Sequence, residues 1–346
     1  MTPESEAPTP PLSAQRVPLS AWPDAFGGDS MLVLGGLAYG ELGNTAQRSP
    51  ANTGGRVLSA SAQVLDAWGS PGPMVSGHCG SVRWTHNGHW LYGALELDER
   101  SEGEPLAALA QRAYRDVFET LAQTGCGHLL RLWNYLPGIN TDVGGLERYR
   151  QFNSGRQQAF FDAGQSAFEG SPAACALGTG DGPLRVRFLA GRVPTVPVEN
   201  PRQTSAYHYP SDYGPRSPTF SRAALVQTGP GTVGLLISGT SSIVGHESVH
   251  LGDVQAQTRE TLANLQAVIG AAQQRCTARF DLAAADCTVY VRRAADAALI
   301  REVFEAAVGR DSAAARRAVF VEADICRADL LVEIEAHVFS SGEVLP

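Results

Sequence analysis

Glu333 and Glu335 stand two residues apart in ADLLVEIEAHV, residues 328–338. Alternation places Asp329, Leu331, Glu333 and Glu335 on one face and Ala328, Leu330, Val332, Ile334 and Ala336 on the other. Period two over this length predicts a strand. A carboxyl half-buried on such a strand resists ionisation, so its pKa rises and it can donate a proton near neutral pH. A solvated sheet face is the plainer reading of the same alternation. Cys326, seven residues before Glu333, suits a pocket wall better than a nucleophile.

A second group of residues could face an anion. Tyr149, Asn153, Arg156 and Phe160 recur at i, i+4, i+7 and i+11 and share one face of a helix predicted over 146–163. Such a stripe is either a buried polar network or a ligand-facing wall. Arg202, Tyr207, Tyr209, Tyr213, Arg216 and Arg222 add arginine and tyrosine in 164–222, a Gly- and Pro-rich stretch read as a loop-rich functional insert. All 27 basic residues are arginine and none is lysine. Schiff-base and pyridoxal chemistry and a phosphate-loop lysine are excluded. Arginine holds carboxylates through its two-pronged fork. Several Arg and Tyr beside one raised Glu read as a pocket for a small dianion with a ring.

Other signals carry less. His246-Glu247-Ser248-Val249-His250 matches the HExxH zinc pattern, but that pattern needs a helix, and the helix here starts later, capped by Asp253. No metal and no cofactor is expected. There is no GxSxG elbow and no GxGxxG leading into a helix. Net charge is −8, which argues against nucleic acid, and no run of about 18 apolar residues offers a membrane span. The first residues lack the basic and apolar regions of a signal peptide. Six scattered cysteines without CxxC suit free thiols and a cytoplasmic setting.

The elements that must carry these residues fall into a repeated order. The first half reads as strands near Met31–Ala38 and Val57–Val64, a Val82–Leu97 hairpin turning at Asn87-Gly88, a helix over 104–123, a strand over 128–136 and the 146–163 helix. The second half reads as strands at 232–238 and 241–246, a helix from Asp253 to about Ala271, a strand at 287–293, a helix at 295–308, then strands at 318–323 and 328–338. The expected class is mixed α+β, with residues 1–20 as a flexible arm, 21–222 as one half bearing the insert and 223–346 as the other.

The second half resembles the RidA/YjgF fold in DVQAQTRETLANLQAVIGAA, CTVYVRR and LLVEIEAHV. That resemblance implies that Glu333 is the functional glutamate of the pair. The carboxylate-binding arginine of that family falls on Ala318, so another residue must fill its role. From about Leu32 to Val338 the chain resembles the chorismatases, in RLWNYLPGIN, GLERYRQFNSGRQQAF, ENPRQTSAYHYPSDYGPRSPTFSRA, ISGTSSIVGHESVH and ADLLVEIEAH. The family implies two RidA/YjgF-like halves, chorismate as substrate and release of pyruvate. Arg156 and Arg222 would hold its two carboxylates, with Arg216 in reserve and Tyr149 and Tyr209 beside them. Glu333 would protonate the enol ether. Gly239 with Cys326 matches the branch that makes 3-hydroxybenzoate, while Ala at both positions matches the hydrolysing branch. A non-catalytic RidA-like binder is the alternative of another class. The resemblance leaves monomer and homotrimer both open.

Overall fold

The computed structural model describes residues 9–22, 24–27, 30–39, 51–58 and 63–346. Its architecture is α+β: two seven-stranded mixed sheets, each packed with helices, and a four-stranded sheet laid against both. In the first large sheet the strand order is Asp324–Ile325, Ala173–Thr179, His128–Pro137, Leu184–Gly191, Trp90–Leu97, Val82–His86 and Val75–Cys79. In the second it is Arg56–Val57, Val319–Glu322, Asp286–Val291, Val332–Ser341, Thr232–Ser241, Ala223–Gly229 and Val196–Val198.

The two orders are the same path traced twice. Each half runs through three antiparallel strands, a 19-residue helix (Leu106–Thr124 or Val254–Ala272), a central strand, a shorter helix (Arg148–Asp162 or Ala297–Val308), a strand parallel to the central one, and a last strand that inserts at the middle of the sheet. This is the duplication implied by the chorismatase resemblance. The registers superimpose as well. Tyr135 pairs with Leu177 and Arg185, and Tyr290 pairs with Val321 and Glu333. Arg185 is therefore the counterpart of Glu333, and Arg187 that of Glu335.

Most predicted elements lie within a few residues of their expected bounds, including the Asn87-Gly88 hairpin and the Asp253 cap, whose side chain accepts from Ala256 N. Three expectations change. Residues 13–18 are not a loose arm: Ser13–Pro18 pairs antiparallel with Val64–Ser70, and Arg16 reaches Asp66 in a buried ion pair at 2.7 Å. A strand over Val57–Val64 is not found as such. Arg56–Val57 and Val64–Ser70 belong to different sheets, and 59–62 lie outside the described residues. The segment 164–222 is loop-rich only in its second part. Ala173–Thr179 and Leu184–Gly191 are buried strands of the first sheet, and Val196–Val198 already belongs to the second.

The strand expected over 328–338 runs from Val332 to Ser341, and both of its faces are buried. Val332, Ile334, Ala336 and Val338 enter the core beneath the Val254–Ala272 helix. Glu333, Glu335 and His337 face the other way, toward the first sheet and the four-stranded sheet, and are 3%, 4% and 8% exposed. In the first half the two helices touch at Gly155, where an added Cβ would lie 1.9 Å from the Ala107 carbonyl oxygen and 3.0 Å from Gln111 N. Backbone cannot yield as a side chain does. Gly155→Ala should therefore force the helices apart and lower stability by about 1–3 kcal/mol. Urea unfolding checks this through a reduced midpoint at unchanged slope.

Candidate active site

Glu333 lies on the floor of a cavity of about 550 Å³ between the two halves. Ser241 Oγ donates to its Oε2 at 3.3 Å. Burial, and after it the nearby Glu335 carboxylate, raise its pKa to about 8. The group is thus a protonated acid at neutral pH. Gly239, opposite, leaves the room that its carboxyl occupies: a Cβ there would meet Glu333 Oε1 at 1.9 Å and the Cys175 Cβ at 3.2 Å.

The second half holds this floor in place by side chains of its long helix. Gln257 accepts from Leu331 N at 2.7 Å and donates to the Asp329 carbonyl at 2.9 Å, fixing the entry to the Glu333 strand. Asn264 donates to the carbonyls of Ser241 and Ile243, fixing the end of the strand that carries Ser241. Arg292 organises the turn above. Its guanidinium reaches Asp324 at 2.6 Å and the carbonyls of Ile325, Arg327 and Leu330. That turn presents Cys326 and Arg327 to the cavity. Burial pushes the Cys326 thiol up to about 12, so it lines the wall as a thiol.

Loop 199–222 forms the opposite wall. Arg222 is 4% exposed and donates through Nη2 to the Thr204 carbonyl and to Tyr209 Oη, both at 2.8 Å, leaving its buried Nε without a partner. Arg327 stacks over Tyr213 at 4.1 Å and over Tyr209 at 5.0 Å, and donates to the His246 carbonyl at 2.8 Å. Its Nη2 is likewise buried and unpartnered. Two guanidinium groups lining a cavity that also holds a neutral acid suit an anionic ligand.

Six expected residues line this one cavity: Tyr149, Tyr209, Arg222, Gly239, Cys326 and Glu333. Two, Arg156 and Arg216, are not in its lining. Arg156 is 2% exposed, its guanidinium over Tyr114 at 5.1 Å and Phe160 at 5.7 Å, with Nε and Nη2 buried and without partners. Of that helical face only Tyr149 is in the cavity lining. Arg216 is exposed, over the Phe161 ring and 3.4 Å from Gln157 Oε1. Reading the sequence missed Arg327 and Arg150 in the lining. Arg327 directly follows Cys326, and that adjacency was the available signal.

The HESVH segment is a tight hairpin, Ile243–Val244 paired with Glu247–Ser248. His246 faces Tyr213, while His250 Nε2 lies 3.4 Å from Glu260. The two rings do not converge. Among the described residues no cluster of three or more His, Cys, Asp or Glu is placed to share a metal ion.

Fold and site define a duplicated α+β protein with one acid-bearing, arginine-lined pocket at the seam of its halves. The family model for the N-terminal part of FkbO/Hyg5-like chorismatases matches residues 66–190. A chorismatase of Streptomyces rapamycinicus is 39% identical over 280 residues, covering 79% of this chain and 81% of that one. A 3-hydroxybenzoate synthase of Streptomyces hygroscopicus is 35% identical over 79% of this chain and 81% of its own length. A crystal structure of a chorismatase superimposes with a TM-score of 0.81 at 31% identity, over 96% of this chain and all of that one. The chain belongs to the chorismatase family.

Arg292→Lys keeps the charge but loses the fork that organises the turn. Amides of residues 324–330 should then exchange with solvent about tenfold faster or more, while those inside Val332–Ser341 keep their protection. Hydrogen-exchange mass spectrometry measures both.

Proposed function

We propose that this protein cleaves chorismate to 3-hydroxybenzoate and pyruvate. The observation that carries the reading is the buried, unpaired Glu333, held protonated at the floor of a cavity whose walls offer Arg222 and Arg327. Chorismate has two carboxylates, an enol ether at C3 and a hydroxyl at C4. Arg222 and Arg327 hold one carboxylate each, in place of the Arg156 and Arg222 pairing expected from the sequence. Tyr149 and Tyr209 flank the ring.

Glu333 gives its proton to the methylene carbon of the enol ether. The resulting oxocarbenium ion makes the pyruvyl group a good leaving group. The C4 oxygen attacks C3 as the C3–O bond breaks, and pyruvate departs with the ether oxygen as its ketone. The ring epoxide opens and loses a ring proton as it aromatises, and a proton returns to Glu333. Chorismate then equals 3-hydroxybenzoate plus pyruvate, with no water consumed. Hydrolysis consumes one water and leaves a dihydroxycyclohexadienoate.

Gly239 supports the intramolecular branch. Without a Cβ at this position the Glu333 carboxyl lies back against the neighbouring strand, as the 1.9 Å approach requires. The relative named 3-hydroxybenzoate synthase supports the same branch, while the name chorismatase covers both. The thiols among the described residues are unpaired, which suits a cytoplasmic enzyme.

Glu333→Gln keeps shape and removes the proton, so turnover should fall roughly 10²–10⁴-fold while a non-reactive chorismate analogue still binds. Near-normal pyruvate release would refute the assignment. Arg222→Gln and Arg327→Gln should each weaken analogue binding by about 1.5–3 kcal/mol, read by calorimetry. For the product branch, Gly239→Ala with Cys326→Ala should raise the share of diene over phenol, since about 1.4 kcal/mol between barriers changes the ratio tenfold. In ¹⁸O-water the parent enzyme should give unlabelled 3-hydroxybenzoate. Labelled phenol would favour hydrolysis followed by dehydration.

A further inference from the structure

Alternation along Val332–Ser341 puts Glu335 next to Glu333 on the same buried face. The two carboxyls have unequal partners. Glu335 Oε2 accepts from Arg131 Nη2 at 2.5 Å, and its Oε1 accepts from Tyr290 Oη at 3.0 Å. Tyr290 Oη lies 3.0 Å from Tyr135 Oη, closing a network between the central strands of both halves. Glu333 has Ser241 Oγ alone, at 3.3 Å. Two carboxyls on one buried strand face do not both ionise readily. The one with a guanidinium keeps the charge and the other keeps the proton.

We propose that the Arg131–Glu335 pair positions the charge that makes Glu333 an acid: a carboxylate fixed two residues along the same strand face keeps the proton on Glu333. The inference rests on the reading of Glu333 as the proton donor. Other groups facing Glu333 are accounted for. Arg131 and Arg222 pull its pKa down, Ser241 does the same through its hydrogen bond, and burial outweighs them. Cys175, Cys326 and Tyr149 are pushed up by burial and face it as neutral groups. The pair belongs to one seam only. The first half has Arg187 where the second has Glu335, and the second has Asp286 where the first has Arg131.

The test is an infrared titration of buried carboxyls, assigned by the protonated carboxyl band that Glu333→Gln removes. In Glu335→Gln, which keeps the shape and the Tyr290 bond, the midpoint for loss of that band should move to lower pH by about one unit or more. The alkaline limb of kcat should move with it. Glu335→Asp keeps the charge and should restore most of the parent midpoint, which a purely structural role would not require. An unchanged midpoint in Glu335→Gln overturns the inference and leaves Glu333 as the donor. Full turnover in Glu333→Gln instead removes the underlying reading, whatever the midpoint. Should Glu335→Gln fail to fold, the parent and Glu333→Gln still decide. A protonated band at neutral pH that survives in Glu333→Gln would put the proton on Glu335 and overturn the proposal.

Discussion

The burial of one polar strand face governs this structure. Glu333, Glu335 and His337 project from Val332–Ser341 into the space where three sheets meet, and little of their surface is exposed. A buried carboxylate without a partner is expensive, so each group must find a counter-charge or stay neutral. Glu335 finds Arg131 across the halves. Asp66, from the four-stranded sheet, finds Arg16, which also donates to Thr288 and to the Cys287 carbonyl. Glu333 has no such partner and keeps its proton. The same pairs that join the sheets thus leave one acid in reserve.

Duplication explains why the buried acid at this position belongs to one half. Both halves trace one path, with tyrosines at matching positions that meet at 3.0 Å. In the first half the position of the acid holds Arg185, which lies 3.6 Å from Glu96, and neighbouring Arg187 is bound to that same carboxylate. A guanidinium cannot donate a proton at accessible pH. The first half therefore has the scaffold of the site without its chemistry. In exchange it supplies walls to the second half: Tyr149 and Arg150 line the cavity from across the seam, and the buried Cys175 packs against Gly239.

Much of this was legible in the sequence. Hydrophobic alternation located the Glu333 strand, and the element order displayed the duplication. What failed did so for identifiable reasons. Arg156 shares a helical face with Tyr149, but its guanidinium lies over two aromatic rings outside the cavity lining, and periodicity cannot say which end of a stripe reaches a cavity. Arg327 sits in a turn shaped by Arg292 from a different strand, a contact with no local signature. The buried strands at 173–179 and 184–191 were hidden by their Gly, Ala and Arg content, because neighbouring strands rather than their own side chains stabilise them. Solvated or buried, the Glu333 face shows the same period of two, and only the sheet packed over it decides.

In the proposed reaction a neutral Glu333 delivers the first proton. Its raised pKa keeps the active, protonated form populated through neutral pH, and the proton is lost as pH rises past about 8. The most direct measurement is the single-turnover rate constant for pyruvate formation from saturating chorismate, followed from about pH 6 to about pH 10. A plateau at low pH and a fall with an apparent pKa near 8 are expected. A rate constant that stays level or rises through about pH 9 would contradict donation by Glu333, because the carboxyl would then be ionised while the chemistry continued.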